Sequence, residues 1–114
     1  MSNCIFCKIA EGTIPSKKIY EDEDLVAFHD LNPQAPAHFL VIPKKHISTI
    51  MDAQQSDIQL LGKLLYTAQS LAAKLGYEQT GARFVINCKD DGGQTVHHLH
   101  VHVLAGRAMD WPPG

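Results

Sequence analysis

The chain has 114 residues, 45% of them hydrophobic and 19% charged, a balance that suits one globular domain over residues 1–114 and excludes a disordered chain. A net charge of −2 leaves no general basic surface for nucleic acid, since Lys17-Lys18 and Lys44-Lys45 are isolated pairs. No run reaches the length of a transmembrane helix and Met1-Ser2-Asn3 lacks the features of a signal peptide, so the expectation is a cytoplasmic protein with no membrane partner.

Residues 4–11 carry Ile5, Phe6 and Ile9 at helical spacing and are followed by Gly12, which predicts one or two helical turns ended by glycine. Residues 19–21 and 25–29 read as short strands joined by the acidic turn Asp22-Glu23-Asp24. Residues 30–36, with two prolines and an asparagine, read as a loop, and residues 38–42, closed by Pro43, as a central strand. The longest predicted helix spans 57–75. Ser56 with Gln59 forms a capping box there, and Gly76 stands just past the end. Ile58, Leu61, Leu65, Ala68, Ala72 and Leu75, widened by Leu64 and Leu71, make a stripe that must pack on a sheet. Residues 83–88 predict a strand that buries Cys88, residues 90–94 a glycine-bearing loop, and residues 96–104 a last strand. Short strands linked by turns and loops, with one long helix between them and a short one at the N-terminal end, predict an α+β fold with a five-stranded antiparallel sheet.

The last strand carries the chemistry. His98, His100 and His102 alternate with Leu99, Val101 and Val103. On a strand the three imidazoles project from one face, about 6.6–6.8 Å apart along the backbone. Histidine is the side chain that titrates nearest neutral pH, so the array suits proton transfer, nucleophilic attack or metal binding. Just upstream, Gly92 and Gly93 let backbone N–H groups approach an anion, while Thr95 adds a hydroxyl and Asn87 an amide. A Gly-Gly pair alone is only a turn; leading into three aligned histidines it reads as a phosphate cradle beside a nucleophile.

Three cysteines is an odd number and argues against a closed disulfide framework. In a reducing compartment Cys4-x-x-Cys7 points to metal or redox chemistry. The plainer alternative is two small apolar residues in a short helix.

From Gly92 to Leu104 the chain reads Gly-Gly-Gln-Thr-Val-His-His-Leu-His-Val-His-Val-Leu, which matches the His-φ-His-φ-His-φ-φ pattern of the histidine triad family, φ being apolar. The stretch from Asp30 to His46 and the ending Trp111-Pro112-Pro113-Gly114 resemble its Hint branch. The resemblance covers nearly the whole chain. It implies a homodimer with a sheet continued across the interface, and a nucleotidyl hydrolase of the purine nucleoside phosphoramidase type. His100 would be the nucleophile at the α-phosphorus, His102 would contact the phosphate and leaving group, and His98 and His38 would support them. No catalytic metal is required, because backbone N–H groups near Thr95 would hold the phosphoryl oxygens.

The resemblance also implies a nucleoside pocket. Ile5, Phe6, Phe28 and Leu31 would sandwich a purine and Asp30 would bind the ribose hydroxyls. His29, Gly93, Gln94, Thr95, Val96, Asn87 and Trp111 complete the candidate substrate-binding set. Without the resemblance, the four apolar residues read as core and Asp30 as a turn residue. Some bacterial members hold a structural zinc on residues matching Cys4, Cys7, His46 and His98. Two positions depart from the usual pattern: Thr95 replaces a common serine, and His97 a common aromatic, reading here as packing or surface. The rivals are a His-x-His metal hydrolase and a non-enzymatic nucleotide-binding or scaffolding dimer. A dinucleoside polyphosphate hydrolase fits the upstream loop and the ending less well.

Overall fold

Alternation along the central strands gives the sheet two apolar faces, and each face recruits its own helix. The computed structural model describes residues 3–114. Helix α1 (Ile5–Glu11) is followed by strands β1 (Lys18–Glu21), β2 (Leu25–His29) and β3 (Ala37–Pro43), helix α2 (Ile58–Ala72), strand β4 (Ala82–Val85), helix α3 (Lys89–Gly92) and strand β5 (Val101–Ala105). The five strands are antiparallel in the order β1-β2-β3-β5-β4, as the α+β reading expects.

One face carries Leu25, Ala27, Phe39, Val41, Val101 and Val103 against Leu64, Ala68, Leu71 and Ala72 of α2. Burying each of these larger side chains contributes about 1.5–3 kcal/mol. The other face carries Val26, Phe28, Leu40 and Ile42 against Phe6 and Ile9 of α1. Pairing partners share a face, so Lys18, Phe28, Leu40 and His102 form one row across four strands. Helix α1 covers only part of that row, and the rest is open.

Several boundaries differ from the sequence expectations. The last strand begins at Val101 rather than residue 96, because the Leu99 N–H bonds the Ile47 carbonyl at 2.6 Å and His98 turns toward the cysteines. Residues 83–88 form strand only over Ala82–Val85; Cys88 is half-buried and stands at the N-cap of α3. The predicted loop at 90–94 contains that short helix, closed by Gly93 at φ 75°. At α2 the capping box is Gln54 with Asp57, not Ser56 with Gln59, because a 3-10 turn at Gln55–Asp57 moves the entry upstream. A wider turn at Ala73–Tyr77 ends the helix, with Gly76 at φ 100° as its left-handed stop. The buried side of α2 is turned toward Leu64, Thr67 and Leu71, so Ile58, Leu65 and Leu75 of the expected stripe lie exposed. Among the described residues no helix is long and apolar enough to cross a membrane.

Candidate active site and metal centre

Backbone groups of the segment before β5, of Pro43 and of Gln34 set which ring nitrogen of each clustered histidine carries a proton. A carbonyl can only accept and a backbone N–H can only donate, so each such contact fixes a tautomer. His100 Nδ1 lies 2.7 Å from the His98 carbonyl; it must donate, which leaves Nε2 with a bare lone pair. His98 Nε2 lies 2.7 Å from the Pro43 carbonyl, so its lone pair is on Nδ1. His38 Nδ1 accepts from the Gln34 N–H at 3.0 Å, so the proton of His38 is on Nε2. That proton points to His102 Nδ1 at 3.0 Å, and His102 Nε2 is therefore the protonated nitrogen on its far side.

Burial keeps the array neutral. It pushes His100 and His38 below the usual imidazole value, against the opposing pull of the Asp30 carboxylate. His102 is lowered to about 4, by burial first and then by His100 and His38. Because Gln34 occupies His38 Nδ1, the 3.4 Å approach of His38 Nε2 to Asp30 Oδ2 is a neutral N–H contact rather than an ion pair. Although Asp30, His38 and His102 gather within 4.8 Å, His38 has no lone pair to give a shared ion. The contacts of this cluster alternate donor and acceptor, an arrangement that suits passing a proton rather than sharing a cation.

The second cluster has the opposite character. Cys4 caps α1, its Sγ accepting from the Cys7 N–H at 3.4 Å. Its sulfur and that of Cys7 lie 3.3 and 3.5 Å from His98 Nδ1. His46 Nδ1 is 3.3 Å from Cys7 Sγ and 3.2 Å from His98 Nδ1, and His46 Nε2 contacts Ser48 Oγ at 3.2 Å. The His98 lone pair thus faces two sulfurs and a second nitrogen. A tetrahedral zinc has N–N edges of about 3.3 Å and S–N edges of about 3.5 Å. The donor set and its spacing fit that ion.

Between α1 and the open sheet row lies a cleft of about 260 Å³. Ile5, Phe6, Phe28, His29, Asp30, Leu31, Thr95, Val96, His100 and His102, all expected, line it. Phe6 stands edge-on to both Phe28 and His100, with ring centres 5.5 and 5.1 Å apart. Leu31 is 93% exposed, so it forms a rim rather than a closed wall. Asp30 Oδ1 accepts from the Asn32 N–H at 2.8 Å. His38 sits behind His102, and His98 serves the cysteine cluster.

Other expected residues stand apart. Asn87 and Gly93 do not line the cleft. The Gln94 side chain is taken up internally, accepting from the Lys89 N–H and donating to the Ser48 and Val96 carbonyls. His97 is exposed. Trp111 is 82% exposed, its tail tied to β4 by the Arg83 guanidinium on the Asp110 carbonyl at 2.7 Å. The cleft also includes Ile9, Ile14, Pro15, Ser16, Lys17 and Leu40, which sequence reasoning did not assign to it. The Ile14 N–H on the Lys8 carbonyl and the His29 N–H on the Lys17 carbonyl hold the segment at residues 14–17 there, between α1 and the end of β2.

A family model described as HIT domain matches residues 11–109. The chain is 49% identical to the 14 kDa zinc-binding protein of Zea mays over 99% of its own length and 89% of that protein. It superposes on a HIT family hydrolase from Legionella pneumophila with a TM-score of 0.97 at 51% identity, over 98% and 100% of the two chains. A histidine triad nucleotide-binding protein from Candida albicans matches with a TM-score of 0.83 at 30% identity, over 96% and 83%. A chain that shares the family model over most of its length, and the fold and half its residues with a HIT hydrolase, belongs to the HIT domain family.

Proposed function

We propose that this chain, folded as one domain, is a nucleotidyl hydrolase of the Hint branch. It would act on the α-phosphate of purine nucleoside 5′-phosphoramidates. The observation that carries this reading is the tautomer pattern: the bare Nε2 of His100 beside the protonated Nε2 of His102, at the phosphate end of an apolar cleft. His100 Nε2 attacks phosphorus and the P–N bond to the amine breaks, forming a nucleotidyl-imidazole. An incoming phosphate, together with Asp30, favours an added proton on the His38–His102 pair. His102 passes that proton to the departing amine, then takes one from the water that frees the nucleoside monophosphate and restores His100. Backbone N–H groups near Thr95 hold the phosphoryl oxygens, Asp30 the ribose, and Ile5, Phe6, Phe28 and Leu31 the base.

Zinc on Cys4, Cys7, His46 and His98 would act structurally, holding α1 to the segment before β5. The His98 carbonyl holds the ring of His100, so anchoring His98 in such a site would also steady that ring. Exposed Ile58, Leu65 and Tyr66 on α2 and Phe84 on the edge strand β4 support a homodimer that continues the sheet across β4 and brings each Trp111 tail near the partner's leaving-group side.

The test is a rapid alkaline quench during turnover of an adenosine 5′-phosphoramidate, followed by peptide mass analysis. The expected result is an adenylyl group on the peptide containing His100. Full turnover with no adduct at any time point would overturn the covalent route.

A further inference from the structure

Among the described residues, Ser16 Oγ is a buried side-chain oxygen with no hydrogen-bond partner. A folded protein rarely leaves a buried hydroxyl unmatched, because its lost hydration is not replaced. Ser16 lies just before β1, and it lines the cleft together with Pro15 and Lys17. The Lys17 carbonyl accepts from the His29 N–H at 3.0 Å, which pins this segment beside the end of β2, next to Asp30.

The sheet register gives the direction. The row Lys18, Phe28, Leu40, His102 crosses three strand spacings, about 14 Å in all. Ser16, two residues before Lys18, therefore stands at the end of the cleft away from His102. The walls between are Phe6, Phe28 and Leu40, which offer a flat ring contact area but no hydrogen bond.

Resting on the nucleotide reading above, we infer that the Ser16 hydroxyl reads the polar edge of the base, so the cleft selects a purine by hydrogen bonding as well as by shape. A serine hydroxyl moves between staggered positions by rotation about one bond, with no change in the backbone. It both donates and accepts, matching the ring nitrogens and the exocyclic group of a six-membered purine ring. A base of two rings, anchored through its phosphate at His100 and His102, extends further toward Ser16 than a base of one ring.

The test compares wild type with Ser16→Ala in equilibrium binding of two ligands, AMP and benzimidazole riboside 5′-monophosphate. The second keeps the two-ring shape but has no polar atom on its six-membered ring. Wild type should prefer AMP, and Ser16→Ala should reduce that preference about fivefold, the value of one hydrogen bond. The melting temperature of ligand-free Ser16→Ala should stay level or rise, because the substitution breaks no bond. An unchanged preference in a variant that still binds AMP would overturn the inference and leave the nucleotide reading standing. Failure of wild type to bind AMP would overturn both.

Discussion

Two clusters of side chains gather around His98 and His102, the two ends of the triad, and by distance alone they look alike. In one, His46 and His98 bring ring nitrogens to 3.2 Å beside two cysteines. In the other, His38 and His102 bring theirs to 3.0 Å beside Asp30. The difference lies on the remote side of the rings. His98 donates to a carbonyl and so turns a lone pair inward, whereas His38 accepts from a backbone N–H and so turns a proton inward. Converging lone pairs suit a cation; an alternation of donor and acceptor suits a proton path. Spacing does not separate a metal centre from a relay. The backbone group behind each ring does.

The largest effect expected is at the nucleophile. His100→Ala should lower turnover by about a thousandfold or more while AMP binding stays within a few fold, since the cleft walls and Asp30 remain. Steady-state rates alongside calorimetric binding check this; a variant that keeps a tenth of the rate would remove His100 from the role.

The cysteine cluster should answer to metal and the relay should not. Wild-type protein should carry about one zinc per chain by elemental analysis. Cys4→Ser with Cys7→Ser should lose it and melt at least about 5 °C lower, in line with a tightly held structural ion. Equal zinc in both proteins would break the comparison from this side.

From the other side, His38→Ala should lower turnover about a hundredfold through the lost proton path, with zinc content unchanged. Loss of zinc in that variant would mean the two clusters are not separate devices.

Acid should act through His102. Its folded value of about 4 lies below the ordinary 6.5, so between those values the unfolded chain binds a proton that the folded chain does not. Stability therefore rises with pH: this contribution is complete above 6.5 and is lost as pH falls through 4. Melting curves across that range should show a shallower slope for His102→Asn than for wild type, metal release being common to both.

The smallest effect is expected in the tail. Trp111→Ala should change relative kcat/KM about two- to fivefold among phosphoramidates that differ only in the amine, a range typical of a single apolar contact at a pocket edge. Equal losses for all amines would give the tail a structural role only.

Much of the site was legible in the chain because its elements are local. The triad reads as alternation, the Cys4-x-x-Cys7 pair opens a helix that Gly12 closes at φ 83°, and Phe28 through Leu31 run off the end of β2, a strand whose apolar pattern is plain. Legibility ended where a contact between distant segments overrode local pattern. Alternation over 96–104 signals strand, but the Leu99 N–H is claimed by Ile47 and the His98 ring by Pro43. The apolar stripe of α2 shows its period clearly, yet which sector faces the sheet depends on how the helix lies across the strands.

Composition and period alone determine an α+β chain with a long amphipathic helix and three imidazoles close together, since these follow from the steric repeat of strand and helix. Tertiary structure alone decides what each imidazole does. A ring nitrogen is donor or acceptor according to the group packed against it: for His98 that group is the Pro43 carbonyl, far along the chain, and for His38 it is the Gln34 N–H, four residues upstream, brought onto the ring by the fold of the loop before β3. It likewise decides that an unremarked serine before the first strand faces the same cleft as the histidines, because strand pairing, not sequence distance, carries Ser16 there.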